Sequence, residues 1–215
     1  MSYRVKRSWI GAFTYQHIPK TGGTSIVGWL KTCKAGRKIS AEGGHAAWLL
    51  LPDQYQDSVI TTVRNPYDRL VSYYFHVGSM VSAKRDVSSL MKKQYNEWNK
   101  GFKNYVFNCK YHPWRKNELN TPAQGGDRAH WIADPQVKYL PNKLDNVIIL
   151  RFETLSADLE ILQEIMNNHT PLPRRNTTES KGFDKQHWTH YYDDETREEV
   201  YRWWQKDFEL LGYEP

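Results

Sequence analysis

A short apolar segment followed at once by a glycine loop and a helical segment constrains the fold most strongly. Residues 11–15 are apolar and bounded by turn-forming residues, which predicts a buried strand. The loop that follows, residues 17–25, contains the pair Gly22-Gly23, and apolar side chains then recur at helical spacing up to Gly36. This order of elements is typical of an α/β domain, in which the helix carries the chain back to a parallel neighbouring strand.

The rest of the chain continues the alternation of strands and helices. Residues 58–63 are β-branched and apolar, and residues 147–150 repeat that pattern, so both predict strands. Asn65 suits a helix cap and Pro66 a first helical position. The other predicted elements are helices at 46–55, 67–76, 154–168 and 193–210, a short strand at 38–40 and a loop at 171–186. We predict a single domain over residues 1–215 with a P-loop-like, three-layer α/β fold: a central, mostly parallel sheet flanked by helices.

The loop after the first strand has the composition of an anion-binding site. Its donors come from consecutive residues: Lys20, Thr21, Gly22, Gly23, Thr24 and Ser25. Free backbone N–H groups and the helix dipole favour negative charge at this point, and the two glycines let the backbone approach an anion closely. It is not a Walker loop, because Lys20 precedes the glycines instead of following them. The alternative is a plain glycine turn that caps a helix.

A second strand-to-helix junction carries an arginine and a serine. Arg64 follows the strand at 58–63, and ligands of open α/β sheets collect at the carboxyl ends of strands. Ser72 lies about two helical turns later and can face the same crevice. A guanidinium fork with a hydroxyl suits a phosphate. The alternative is an Arg64 that only pairs with Asp68.

Together these two motifs resemble the sulfotransferase superfamily that uses 3′-phosphoadenosine 5′-phosphosulfate (PAPS), in its carbohydrate branch with the uronyl 2-O-sulfotransferases. Residues 17–25 are similar to that family's loop for the 5′-phosphosulfate, and residues 64–74 to its 3′-phosphate motif. Lys181-Gly182 resembles the late basic loop that closes over the nucleotide, and residues 207–213 resemble a common family ending. The compact length is similar to that of microbial or viral members.

The resemblance implies an enzyme and a set of ligands. PAPS is the donor, adenosine 3′,5′-bisphosphate (PAP) is the product, and no metal takes part. The acceptor carries a hydroxyl group, which a carbohydrate would supply. Beyond the first loop, the nucleotide-binding residues that the resemblance implies are Arg64, Ser72, Arg175, Lys181 and Gly182.

Two residues are predicted to be catalytic, His45 and Lys20. The acceptor hydroxyl must lose a proton, and histidine titrates near neutrality. The 2-O-sulfotransferase branch has His-Gly-His at the place of Gly43-Gly44-His45, and its last histidine is read as the base. The alternatives are Glu42 as the base, or a His45 that only caps the following helix. Lys20 would stabilise the charge that grows on the 5′-phosphate as its bridging oxygen leaves.

Charge and composition indicate the kind of partner. The chain has 30 Lys and Arg against 24 Asp and Glu, a net charge of +6, which favours an anionic partner such as an acidic glycan. Residues 84–133 are basic and rich in Trp and Tyr, and predict helices and long loops that could bind the acceptor or form a solvated face. Read from Met1, the sequence shows no signal core and no apolar run of about 20 residues, so we expect a cytoplasmic protein without a membrane span.

Two other classes of function compete with this interpretation. A kinase-like phosphotransferase would need magnesium-binding carboxylates after a strand, and the sequence offers none in that place. A non-enzymatic domain that binds polyanions would explain the charge and the 9 Trp residues but not two phosphate motifs at strand ends. Nucleic acid is therefore not expected as a partner.

Overall fold

The computed structural model describes residues 14–33, 59–82, 89–108, 134–141, 144–145, 147–175 and 177–215. In chain order, its strands and α-helices are β1 (Thr14–Gln16), α1 (Gly23–Leu30), β2 (Val59–Val63), α2 (Pro66–Ser82), α3 (Ser89–Trp98), α4 (Phe102–Asn108), β3 (Val147–Arg151), α5 (Leu155–Met166) and α6 (Asp194–Leu211). Short 3₁₀ turns cover Gln136–Tyr139, Phe152–Thr154, Glu179–Lys181 and Trp188–Tyr191. The chain divides into two compact units: a sheet unit of residues up to Val63 with Tyr139–Arg175, and a helical unit of Arg64–Lys138 with Asn176–Pro215.

The sheet unit contains three parallel strands in the order β1-β2-β3 within the described residues. Tyr15 pairs with Ile60, and Ile60 pairs with Ile148, which sets the register. All five residues of β2 are buried, as expected for a central strand of a parallel sheet that is covered on both faces. The strands end at one edge of the sheet, and the glycine loop begins there, directly after Gln16.

Helices α1 and α5 pack on this sheet through one apolar core. Ile26 and Trp29 of α1 meet Leu159 of α5 and the side chains of the strands in that core. The fully buried Trp29 also donates its indole N–H to the carbonyl of Thr170 at 2.7 Å, which ties α1 to the segment after α5. A parallel sheet flanked by helices confirms the predicted α/β class.

The helical unit has a core made largely of aromatic side chains. Tyr67, Leu70, Val71, Tyr74 and Val77 recur at helical spacing and put one face of α2 into that core. The residues that α4 and α6 contribute to it are Phe102, Tyr105, Val106, Val200, Trp204 and Phe208.

Helix α6 has defined ends that the sequence predicts. It begins with a capping box, in which the Asp193 carboxylate accepts from the Thr196 backbone N–H and the Thr196 hydroxyl accepts from the Asp193 N–H. It ends at Gly212, whose φ of 66° lies in the left-handed region.

Several element bounds differ from the predicted ones. Helix α2 runs to Ser82, beyond residue 76, because Val77 and Gly78 continue its buried face. Helix α1 ends at Leu30, and the chain turns directly after it at Lys31 and Thr32, whereas the sequence predicted a helix up to Gly36. Helices α3 and α4 form in a region for which the sequence predicted no definite bounds. The predicted elements at 38–40 and 46–55 lie outside the described residues, and the single domain stays a prediction.

Candidate active site

The glycine loop is wound by two residues in left-handed backbone conformations. Lys20 has a φ of 68° and Gly22 a φ of 85°. The left-handed region is uncommon for a residue with a side chain, and costs about 1–2 kcal/mol there. Left-handed residues in a tight loop turn successive N–H groups towards one side, which is how many proteins bind anions. The positive end of α1 starts directly after Gly22, and its first turn has no acidic residue.

The close packing around this loop requires glycine at both positions. A Cβ atom on Gly23 would lie 2.2 Å from Cδ2 of His17 and 2.8 Å from the hydroxyl of Tyr15. That hydroxyl is fixed in turn by a 2.8 Å hydrogen bond with Thr62 of β2. On Gly22, a Cβ would lie 2.8 Å from the Phe152 ring. The loop is therefore closely packed against its neighbours, and its role as an anion-binding site stays a prediction.

The hydroxyl groups predicted at this loop have different surroundings. Thr21 is fully buried, and its hydroxyl donates to the Ile18 carbonyl at 2.8 Å, so in this conformation that hydrogen holds the loop together. Thr24 is exposed at the start of α1. Ser25 is buried, and its oxygen accepts a hydrogen bond from the backbone N–H of Arg175 at 3.2 Å.

The contact with Ser25 brings Arg175 to the helix that follows the loop. Gly28 makes the approach possible, because a Cβ at that position would lie 3.1 Å from the Arg175 Nε and 3.2 Å from the Pro173 Cγ. Two residues that sequence reasoning assigned separately to the nucleotide, Ser25 and Arg175, are thus neighbours in the sheet unit.

The second motif is built around a buried ion pair in the helical unit. Asn65 caps α2, with its side-chain oxygen accepting from the Tyr67 N–H at 2.9 Å. Nη2 of Arg64 lies 2.6 Å from Oδ2 of Asp68, and its Nε donates to the same oxygen at 2.8 Å. The predicted alternative, an Arg64–Asp68 pair, is therefore present. Ser72 follows Asp68 by one turn on the same helix face and is buried.

A second cation reaches the same carboxylate from the late loop. The ammonium of Lys185 contacts Oδ1 of Asp68, and both side chains are mostly buried. Burial alone would raise the pKa of Asp68, but the charges and hydrogen bonds of Arg64 and Lys185 together hold that pKa below its usual range. Asp68 is therefore ionised near neutrality. Of these three side chains, two are cations and one is an anion.

Sequence reasoning missed two residues of this motif: Lys185, which contacts Asp68, and Gln136, which contacts Arg64. It placed the late basic loop at Lys181-Gly182, which lie in and after the 3₁₀ turn Glu179–Lys181, whereas the contact to Asp68 comes from Lys185. It also assigned no role to Gln136, whose side-chain amide bonds both backbone groups of Arg64. No local pattern distinguishes either residue from other polar residues in loops.

Most tryptophans among the described residues pack in or against one of the two cores. Trp29 and Trp204 are fully buried. Trp98 and Trp188 pack against the aromatic core, and Trp188 stacks on Tyr67 with ring centroids 5.2 Å apart. Lys103, in the basic middle region, pairs with two exposed carboxylates at the start of α6, Asp193 and Glu195, which favours a solvated face at that point.

The predicted base falls in the part of the chain that is not described. His45 and its alternative Glu42 lie between residues 34 and 58, so the identity of the base stays a prediction. Among the described residues, no group of three or more His, Cys, Asp and Glu side chains has the arrangement of a metal site. None of the described helices combines the length and apolar character needed to span a bilayer.

The comparison with protein families identifies the class of enzyme. The model of the sulfotransferase family matches residues 12–214. The chain therefore belongs to that family and is a sulfotransferase. Membership implies PAPS as the sulfate donor and a hydroxyl-bearing acceptor. No curated protein and no solved structure is a significant match to the chain.

Proposed function

We propose that this sulfotransferase moves the sulfuryl group of PAPS to a hydroxyl of a carbohydrate, by in-line transfer with a general base. The observation that carries the proposal is the geometry of the glycine loop. Two left-handed residues lie directly before the uncapped positive end of α1, and Gly23 is pressed against His17 and Tyr15. A rigid loop of this kind provides backbone donors for an anionic group and needs no reorganisation when the anion binds.

The donor's two phosphate groups are assigned to different motifs. The 5′-phosphosulfate is held by residues 20–25, with Arg175 beside Ser25. The 3′-phosphate is held by Arg64 and Ser72, with Lys185 as an additional cation and Lys181-Gly182 in the same late loop. The support for the second assignment is that two cations, Arg64 and Lys185, meet at one carboxylate here, and cations of this kind suit a phosphate.

Two residues, His45 and Lys20, take part in the transfer step. In the transfer, the bond from sulfur to the bridging oxygen of the 5′-phosphate breaks, a bond from sulfur to the acceptor oxygen forms, and the bisphosphate leaves. His45 takes the proton of the acceptor hydroxyl. Lys20 stabilises the negative charge on the departing phosphate oxygen, where charge grows most in the transition state. No metal is needed for these roles.

A carbohydrate acceptor is proposed because of the resemblance to the carbohydrate branch and because of the basic surface. The net charge of +6 favours an acidic glycan over a neutral one. The electrostatic attraction predicts that transfer to an acidic glycan falls as salt is raised, since exposed charges are screened within about 8 Å at physiological ionic strength.

The experiment is transfer of radiolabelled sulfate from PAPS to a panel of acidic glycans, neutral glycans, lipids and small alcohols. The proposal expects label in the acidic glycans, with His45→Ala losing about 10²–10⁴ of the rate. His190→Ala is a matched control, because His190 is exposed in the turn Trp188–Tyr191. Label found only in lipids or small alcohols would refute the carbohydrate acceptor, and a normal rate in His45→Ala would move the base to Glu42.

A further inference from the structure

The backbone of Arg64 is held on both sides by one side-chain amide. The Arg64 N–H donates to Oε1 of Gln136 at 2.9 Å, and Nε2 of Gln136 donates to the Arg64 carbonyl at 2.8 Å. Gln136 is fully buried. Its side chain therefore pairs with Arg64 as a neighbouring strand would, immediately after β2 has ended.

Gln136 is fixed in turn by a carboxylate from the end of the chain. Oδ2 of Asp207 accepts from the Gln136 backbone N–H at 2.8 Å, and Oδ1 accepts from the Val137 N–H at 2.9 Å. Asp207 lies on α6 and is fully buried. Burial raises its pKa, against the opposing effects of the Arg69 charge and of these hydrogen bonds. The carboxylate thus holds the first turn of the 3₁₀ segment Gln136–Tyr139.

This arrangement fixes the two ends of one residue independently. Asp68 fixes the guanidinium of Arg64, and Gln136 fixes its backbone. Burying an amide and a carboxylate lowers the stability of the fold unless every polar atom is hydrogen-bonded. Apolar contacts alone could hold this part of the core without that cost. The network gives Arg64 a defined position. A binding group that is held in place before the ligand arrives binds that ligand more tightly and more selectively.

We propose that Gln136, held by Asp207, is a positioning residue for Arg64 and thereby sets the preference of the enzyme for a nucleotide with a 3′-phosphate. This inference rests on the proposed function, because it takes Arg64 as the residue that binds the 3′-phosphate. It also assigns a role to Asp207, the first residue of the segment that resembles a common family ending.

The test is the ratio of affinities for PAP and for adenosine 5′-monophosphate, measured by isothermal titration calorimetry on the full chain. Gln136→Met keeps the length of the side chain and removes both hydrogen bonds. We expect it to lower the ratio about tenfold with little change in affinity for the monophosphate. Thr196→Val is the matched control: it removes buried hydroxyl bonds from the same unit, at the start of α6, and should leave the ratio unchanged.

A double-mutant cycle separates positioning from general stabilisation. In an Arg64→Ala background, Gln136→Met should have no further effect on the ratio, because the side chain that Gln136 positions is no longer there to bind the 3′-phosphate. The same loss in both backgrounds would overturn the inference. Gln136→Asn, which keeps the amide but shortens the side chain by one methylene, gives the same test if the methionine variant does not fold.

The outcome also distinguishes this inference from the proposed function. A wild-type ratio near one would refute the 3′-phosphate site itself and the inference with it. A high wild-type ratio that persists in folded Gln136→Met would refute only the positioning role. A ratio that falls in Gln136→Met and in Asp207→Asn, and not in Thr196→Val, supports both.

Discussion

The glycine loop and the Arg64 motif are both assigned to anionic groups, but they are prepared for them in different ways. The loop site is formed mainly by the backbone, through left-handed residues, a helix end and two glycines packed against aromatic rings. The Arg64 site is formed mainly by charged side chains: a carboxylate lies between two cations, and a buried amide bonds the backbone. Backbone shape suits a group that must be held during reaction, whereas paired charges suit recognition of a group that does not react.

The sharpest test of this difference is to remove one lysine from each region. Lys20→Ala should lower the single-turnover transfer rate about 10²–10³-fold with a much smaller loss of PAP affinity, because the lysine acts mainly on charge that appears in the transition state. Lys185→Ala should lower PAP affinity about tenfold and leave the rate at saturation near normal, because it removes one of the two cations at Asp68.

Rapid-quench kinetics and calorimetry on the same preparations measure the two quantities. Lys31→Ala, at the exposed end of α1, is the control for loss of a lysine. Equal losses of rate and affinity in both lysine variants would remove the distinction between the regions.

Removing the central carboxylate of the Arg64 motif should destabilise the fold. Asp68→Asn leaves two mostly buried cations without their shared anion, which should lower the free energy of unfolding by about 3 kcal/mol. Glu198→Gln, which breaks the exposed pair with Arg202, should cost under about 0.5 kcal/mol. Urea denaturation measures both, and similar small values would mean that the cluster is weakly coupled to the fold.

The sequence predicted the features that depend on residues close together in the chain, and it did not predict those that depend on distant residues. The strand β2 and the cap at Asn65 depend on residues next to one another, and both were predicted. The glycine loop is also local. Lys185 is 117 residues from Asp68 in the chain, and Asp207 is 71 residues from Gln136, so no spacing pattern could link them.

The helical unit was harder to predict than the sheet unit for a related reason. Its helices α3 and α4 are short, polar on the outside and apolar mainly through aromatic residues, so their periodicity is weak. They are stabilised by packing, since Trp98 lies against Gly78 so closely that a Cβ there would come within 2.5 Å of the indole. Such a contact becomes visible only when α2 and α3 are placed together.

Comparing Gly22 with Gly182 separates the effect of crowding around the glycine loop from that of backbone strain. Gly22 and Gly182 have similar φ values, 85° and 81°, but a Cβ on Gly22 would meet the Phe152 ring at 2.8 Å while one on Gly182 would meet nothing within 4 Å. Alanine at Gly182 should cost about 1 kcal/mol of stability from backbone strain alone. Alanine at Gly22 should cost about 2–3 kcal/mol because crowding is added. Equal melting temperatures for the two variants would mean that the loop adapts readily.

The smallest expected effect is the acid dependence that the Arg64 motif adds to stability. The pKa of Asp68 is lowered in the folded protein, so its stabilising contribution is complete above the unfolded value of about 3.9 and is lost as pH falls towards the folded value. The stability difference between wild type and Asp68→Asn should therefore shrink below about pH 4. A difference that stays constant from pH 7 to pH 3 would contradict the ionised carboxylate.

The most direct test of the whole account is the melting temperature of the wild-type chain with PAP, compared with ATP and Mg²⁺. A ligand at one hundred times its dissociation constant stabilises the folded state by about 2.7 kcal/mol, which for a chain of this size is roughly 5–10 °C. We predict a rise of that size with PAP and no comparable rise with ATP and Mg²⁺. A rise with ATP and Mg²⁺ and none with PAP would contradict the assignment of the two anion-binding motifs to the sulfate donor.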